Sequence, residues 1–433
     1  MTRARLDGLC LLSLGAIVVL LLMIFLARAH SSGAFQDFIA DYYSSRCLLH
    51  HEDPYLETTV LDRYRAEGGE RPLAGAGERA IATRYVYPPT AFVLMVPFAL
   101  LPWGSAHLLW MATSCGLLIL ASCLAWDLAA SHAPVLAGAL IGFLLANSEV
   151  VVVLCNPSGL AISLCVIAVW CFVRVRFTWL GVVCLALSLA VKPQDAGLVW
   201  LYFLLGSAAF RKLALQTLAA VIALSLPFIA WVSEVAPHWW SELRANLAAF
   251  SVRGGLNDPG PSSGLAHDLV DLQVIVSRFV DAPRVYNMVS VLIVLPLLVM
   301  WIVATVRSRS NDEAVTLGIA SIALLTLLPV HHHLYDTKLL LLVVPALAML
   351  WLERGRVGRA AMALTLCAFL VTGDLTSTLL LRIVFALPLP ADGFGGWFKS
   401  SLMVFPAPLM LLATAAFYLA VYWRSTSRPS LEP

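Results

Sequence analysis

The stretch "LCLLSLGAIVVLLLMIFLA", Leu9 to Ala27, runs nineteen residues without a charge behind the basic start "MTRAR". At about 1.5 Å per residue, such a helix matches the hydrocarbon thickness of a bilayer. It is long for the apolar core of a secretory signal, and "ARAHSSGAF" after it is only a fair cleavage match. It therefore reads as a retained transmembrane helix, and its basic flank predicts a cytoplasmic N-terminus.

Working outward, the same pattern recurs along the chain. Of 433 residues, 60% are hydrophobic and 12% charged, with a mean hydropathy of +0.86. Soluble domains carry about 25% charged residues, so this deficit predicts an all-α, polytopic membrane helical bundle. A net charge of +2 gives no footprint for a nucleic-acid partner. The nine cysteines sit mostly inside apolar runs without paired spacing and read as small core residues.

Hydropathy predicts further spans near 89–102, 105–126, 134–154, 157–173, 178–191, 193–208, 213–233, 286–306, 314–330, 338–353, 360–373 and 400–423. Arginine and lysine gather at Arg174/Arg176, Arg211/Lys212, Arg307/Arg309, Arg354/Arg356/Arg359 and Arg424/Arg428. The positive-inside rule assigns these joints to the cytoplasm. One crossing too many lies between Pro88 and Arg174. There "ANSE" (146–149) and "NPSG" (156–159) predict a broken or half-spanning piece, tolerated only where it is buried in protein or lines a cavity. The net expectation is about twelve crossings in a single domain over 1–433, with both termini inside and a cytoplasmic tail at 424–433. The first outer loop, 29–88, the "VKPQD" joint (191–195), the long outer loop 234–285, the "HHHLYDTK" joint (331–338) and the 386–399 loop then share one side.

That side holds the chemistry. "QDFIADYYSSRCLLHHEDPYL" (36–56) gathers Asp37, Asp41, Glu52 and Asp53, with Glu57 next, in a chain that otherwise avoids charge. A carboxylate near the membrane surface can serve as a general base toward a hydroxyl nucleophile. Asp41, one helical turn on, shares that face. Tyr42 and Tyr43 are either sugar-stacking groups or interfacial belt residues. In "RYVYPPT" (84–90) two prolines fix an extended entry into the next helix. Arg84 beside Tyr85 and Tyr87 is either an interface anchor or a phosphate ligand. Lys192, a cation on the outer side, either snorkels or neutralises a phosphate. The histidines of the "HHHLYDTK" joint lack metal-ligand spacing, and with Tyr335, Asp336 and Lys338 they suit an anionic substrate better than an ion. No GxGxxG or P-loop pattern is present, which points away from a cytosolic nucleotide donor. Around "GGLNDPGPSSG" (254–264) the long loop reads as turn chemistry, a gate or a plain connector.

"DFIADYYSSRCLLHHEDPY", "YVYPPTAFVLMVPFALLPWGSAHLLW", "KPQ" and "HHLYDTKLLLLVVPAL", in this order and on one topological side, resemble glycosyltransferase family 87. That family comprises polyprenyl-phosphate-dependent transferases of the C-type superfamily. The resemblance implies a large helical bundle in a cell (inner) membrane, with an extracytoplasmic site and Asp37 as catalytic base. It implies no cofactor and no metal, a polyprenyl-phosphate sugar donor, most simply mannose, and a glycolipid or glycan acceptor. Arg84, Lys192, His332, His333, Tyr335 and Lys338 would lie on the donor-phosphate side. Tyr42, Tyr43, Tyr87, Asn156, Gln194 and Asp336 would contact substrate. Two departures stand out. The spacing from Asp37 to the tyrosines is one residue longer than the commonest form, which leaves Asp41 as a rival base. "CNPSG" stands where many members have a Gly-Gln pair, so Asn156 would replace the amide. An arabinofuranose donor fits the same scheme. From another class, a secondary transporter or lipid flippase would use a broken helix near Asn156 and the intramembrane acids Glu149 and Asp374.

Overall fold

A computed structural model describes residues 2–29, 35–68, 84–308, 311–353, 355–390 and 392–427. Arg309, Arg354, Arg428 and the last six residues of the tail lie outside the described residues, as does most of "ARAHSSGAF". Every regular element among the described residues is helical, and the only β-type contact is an isolated bridge between Leu269 and His333.

The opening apolar run forms Arg3–Ala29, turning Leu14, Leu21 and Phe25 outward as a lipid-facing surface would require. Its other face packs backbone to backbone on Pro134–Ala146. A Cβ on Gly138 would overlap the carbonyl of Gly8, and one on Gly142 that of Leu11, so small residues set this close crossing.

The spans divide into two kinds. Among the described residues, six helices are long and apolar enough to cross a membrane: Arg3–Arg28, Trp103–Ala129, Ala208–Val235, Pro283–Arg307, Leu334–Leu352 and Pro406–Ser427. A seventh unit, Arg356–Thr372 with Asp374–Ala386, bends by 76° at its break. Four of the other predicted spans are shorter apolar helices: Pro89–Ala99, Pro134–Ala146, Pro157–Val173 and Thr178–Val191. The expected count of about twelve complete crossings is therefore not reached by length. An apolar helix needs roughly 20 residues to span, and these pieces have 17 or fewer.

The 134–173 region is indeed broken, at Asn147–Ser148 and again at Cys155–Asn156, where Cys155 adopts a left-handed φ of 53°. The first break meets the Gly373 break of the bent pair. Lys338 donates to the Asn147 carbonyl, and Asp374 Oδ2 accepts from Val150 N at 2.8 Å. Thr376 N donates to Asn147 Oδ1 at 3.3 Å, an approach so close that a side chain on Gly373 would strike Asn147. Interrupted backbone is thus satisfied inside the bundle, as it must be away from water.

Two elements form the centre. Pro157–Val173 is buried along nearly its whole length, and Leu334–Val343, a 3-10 helix, continues into Val344–Leu352 with similar burial. Around one end of these two lie Gln36–Leu49 and the joints at Lys192 and His331–His333.

Candidate active site

The site is built on the first turn of Gln36–Leu49. Phe35 starts this helix in a left-handed conformation, and its N–H donates to Val153 O at 2.7 Å, tying the helix to the broken segment. One face is aromatic: Phe38 stacks on Trp110 at 4.7 Å, and Trp110 Nε1 donates to Cys155 O at 2.8 Å. Tyr42 and Tyr43 pack around Trp103 in the same wall and are buried. Tyr42 OH donates to Leu101 O at 2.8 Å, so its hydroxyl serves the fold.

The other face carries Asp37, half-buried. Its Oδ2 accepts from Asn156 Nδ2 at 2.7 Å. Asn156 is also the N-cap of Pro157–Val173: its Oδ1 accepts from Ser158 N at 2.8 Å and Ser158 Oγ at 2.5 Å, with Tyr87 OH at 3.4 Å. A backbone N–H can only donate, so the amide oxygen must face the helix and the amide nitrogen must face Asp37. Burial pushes the Asp37 carboxyl up to about 6, against the lowering pulls of Asn156 and Lys192. Asp41 is 1% exposed, its Oδ2 has no hydrogen-bond partner among the described residues, and burial plus the Asp37 charge push its carboxyl well above the usual range.

Behind Asn156 lies a charged quartet. Lys192, 7% exposed, donates to Ser158 Oγ at 2.6 Å and to Asp336 Oδ1, and stands 3.5 Å from Asp195 Oδ2. His332 Nε2 is 3.2 Å from Asp195 Oδ1, and its Nδ1 is 2.9 Å from Val330 O. A carbonyl only accepts, so Nδ1 carries a hydrogen. Burial lowers the His332 imidazole, but the hydrogen bond and charge of Asp195 outweigh it and the net direction is up. The Lys192 ammonium and the His332 imidazole thus face two carboxylates. Asp195, His332 and Asp336 also bring three ligand atoms within 4.8 Å of one another, a spacing that suits a divalent ion. The Lys192 ammonium already supplies positive charge at that point.

The long loop anchors this end of the bundle. Val270 N donates to His332 O and Leu272 N to Leu328 O, each at 3.0 Å, bringing Asp271 Oδ2 within 3.3 Å of His332 N. Burial pushes the Asp271 carboxyl up to about 7 against its hydrogen bond and charge contact with His332. Farther along, Trp239–Phe250 docks on the first loop through Asn246, whose Nδ2 donates to Tyr55 O and Tyr85 O at 3.0 Å. His333 stacks on Tyr335 at 4.9 Å, and Lys192 Nζ stands 5.2 Å from the Tyr335 ring.

The structure therefore brings Asp37, Tyr87, Asn156, Lys192, His332, His333, Tyr335 and Asp336 to one end of the bundle. Other expected site residues sit elsewhere. Arg84 pairs with Glu57 at 2.8 Å, Gln194 is exposed at the start of its helix, and Lys338 belongs to the helix-break cluster. Ser158, Asp195 and Asp271 join the site unannounced. The first two lie within motifs already conspicuous, "NPSG" and "KPQD", whereas nothing in the sequence around Asp271 marks it. Two clefts of about 480 and 360 Å³ flank Arg211 beyond the far end of Pro193–Leu205 and touch none of these groups.

The model for glycosyltransferase family 87 matches residues 85–329. The chain belongs to that family. It is a membrane-embedded enzyme that transfers glycosyl groups. The matched segment holds Tyr87, Asn156, Ser158, Lys192, Asp195 and Asp271, and the fold adds Asp37 from before it and His332 and Asp336 from after it. No curated protein and no solved structure matches this transferase.

Proposed function

We propose that this enzyme moves a sugar, mannose, from a polyprenyl-phosphate donor to an acceptor hydroxyl on the extracytoplasmic side of a cell membrane, with inversion. The observation that carries the reading is the Asp37 carboxylate. It is half-buried at the edge of the polar cluster, and among the described residues only Asn156 hydrogen-bonds to it. One carboxylate oxygen is held; the other is available to a substrate hydroxyl.

In this scheme Asp37 takes the proton of the acceptor hydroxyl as its oxygen bonds to the anomeric carbon. The bond from that carbon to the phosphate oxygen breaks, and the electron pair leaves with the phosphate. A phosphate leaves without protonation, so one base suffices, unlike the two carboxyl groups of glycoside hydrolysis. Asp41, 1% exposed, is closed off from a substrate hydroxyl and is the poorer candidate for the base. Tyr335, half-buried at the rim and stacked on His333, offers a neutral donor to the leaving phosphate; the His333 imidazole, pushed down to about 4 by burial, faces Asn257 Oδ1 at 3.3 Å. Lys192 acts from one layer behind, its ammonium already engaged by Ser158 and Asp336. The polyprenyl chain lies along the apolar helix surfaces, among membrane lipids.

The test is transfer by the purified full chain in nanodiscs, from short-chain polyprenyl-phosphate mannose and, in parallel, arabinofuranose, onto glycolipids extracted from membranes. Mannose transfer that disappears in Asp37→Asn supports the proposal. Transfer of arabinose alone would reassign the donor. Translocation of the lipid between leaflets without transfer would favour a flippase.

A further inference from the structure

Two side chains, Ser158 and Asn156, lie in line between Lys192 of the buried charge quartet and the half-buried Asp37 carboxylate, and each hydrogen bond has its direction fixed. The Lys192 ammonium can only donate, so Ser158 Oγ accepts from it at 2.6 Å. The serine proton is then directed to Asn156 Oδ1 at 2.5 Å. Asn156 Oδ1 also receives Ser158 N, and the amide nitrogen donates to Asp37 Oδ2 at 2.7 Å. Every donor in the line points toward Asp37.

We propose that Ser158 is a positioning residue that couples the charge of Lys192 to Asp37 through the side chain of Asn156. Such chains polarise one another in a low-dielectric interior, and a hydrogen bond donated to a carboxylate favours its ionised form. The line therefore holds one Asp37 oxygen in place and keeps the group ionisable despite its burial. Ser158 is itself fully buried, and its hydroxyl is used in no other hydrogen bond among the described residues. The Lys192 charge also reaches Asp37 through space, and the Asp37 charge in turn is felt by Asp41 on its own helix, Tyr87 before Pro88, Cys155 before Asn156, and Tyr335 on Leu334–Val343.

This inference rests on Asp37 being the base, and its test separates the two claims. The protonated-carboxyl band of Asp37 is followed against pH by infrared difference spectroscopy on the full chain in nanodiscs without substrate, assigned by its loss in Asp37→Asn. The wild-type midpoint is expected at about pH 6. In Ser158→Ala the backbone N–H still supports Asn156, and Lys192 keeps its two acids, so the fold is retained. The midpoint should rise by about one pH unit. Turnover of short-chain polyprenyl-phosphate mannose should fall about tenfold in kcat with little change in KM. Ser158→Thr restores a hydroxyl and should restore the midpoint. Ser158→Cys keeps the volume but offers only a weak donor, and should stay shifted.

An unmoved midpoint in Ser158→Ala, or rescue by Cys but not Thr, overturns the coupling and leaves Ser158 a packing residue. Full turnover in Asp37→Asn overturns the base itself, and with it the purpose of the line. An inactive Asp37→Asn beside an unmoved band in Ser158→Ala overturns the coupling alone.

Discussion

Lys192 and Lys338 are both buried lysines beside carboxylates, yet they serve two different regions. Lys338, 1% exposed, donates to the Asn147 carbonyl and stands 3.6 Å from Asp374, where two interrupted helices meet. Its partners, a backbone carbonyl and the Asp374 carboxylate, both sit at helix breaks, and the cluster closes on itself. Lys192 has three partners, one of them a serine hydroxyl leading through Asn156 to a half-buried carboxylate. An intramembrane charge thus marks function only where its network ends on a group that a substrate can reach. The acids that suggested a transporter pathway divide accordingly: Asp374 satisfies the backbone of Glu149–Leu154.

The largest expected effect breaks the comparison at its reactive end. Asp37→Asn should lower transfer by about 10²–10⁴-fold, the usual contribution of a general base. Its fold should not suffer. A carboxyl raised to about 6 binds its proton more tightly in the folded state than in the unfolded one, so burial of the ionised group costs stability above pH 6. That cost vanishes as pH falls below the ordinary carboxyl range. Asp37→Asn should therefore melt higher than wild type at pH 7.5 and level with it near pH 4, read by thermal unfolding in detergent. A variant that is inactive and less stable at pH 7.5 would place Asp37 in the structural region instead.

The second effect breaks the other end. Lys338→Met leaves Asp374 buried without its cation, and removal of one partner from a buried pair costs about 3–5 kcal/mol. Yield and melting temperature should fall, while turnover per folded molecule stays within a few-fold. The double change Lys338→Met with Asp374→Asn should recover much of the loss. Turnover lost out of proportion to folding would return Lys338 to the donor site.

These two regions differed in legibility. Asp37 could be singled out because an acid soon after a span, in a chain that avoids charge, is conspicuous. Asn156, Lys192 and the histidine joint stood out as polar interruptions of apolar runs, and their convergence follows from one shared topological side. Partner choice was not legible. Lys192 meets Asp336 across 144 positions, and Arg84 finds Glu57 across 27. Membership of glycosyltransferase family 87 was readable from short motifs in order, and its model match bears that out. The all-helical class was legible too, but not the number of complete crossings. Hydropathy registers an apolar run such as 89–102 without revealing that only Phe92–Ala99 is α-helical after a 3-10 start, or that 360–386 turns by 76° at Gly373.

A third effect sharpens the contrast by pH. If Asp37 must be ionised to accept the hydroxyl proton, kcat/KM should fall tenfold per pH unit below about 6 and level off above it. Asp271, raised to about 7, lies farther back against His332, so a second inflection near 7 in the residual transfer of Asp37→Asn would point to Asp271 rather than the base.

The smallest effect concerns Arg84, which the sequence left between anchor and phosphate ligand. Its guanidinium meets Glu57 at 2.8 Å, with both side chains partly solvent-exposed, and such pairs contribute about 0–1 kcal/mol. Arg84→Gln should thus change the melting temperature slightly and leave KM for short-chain polyprenyl-phosphate mannose within about twofold. A phosphate ligand would behave otherwise. Loss of a charge-assisted bond to phosphate costs about 1.5–3 kcal/mol, which raises KM by roughly tenfold or more. Glu57→Gln distinguishes the cases further: it frees Arg84, so it should leave KM unchanged if the pair is only structural and lower KM if the guanidinium can turn toward the donor.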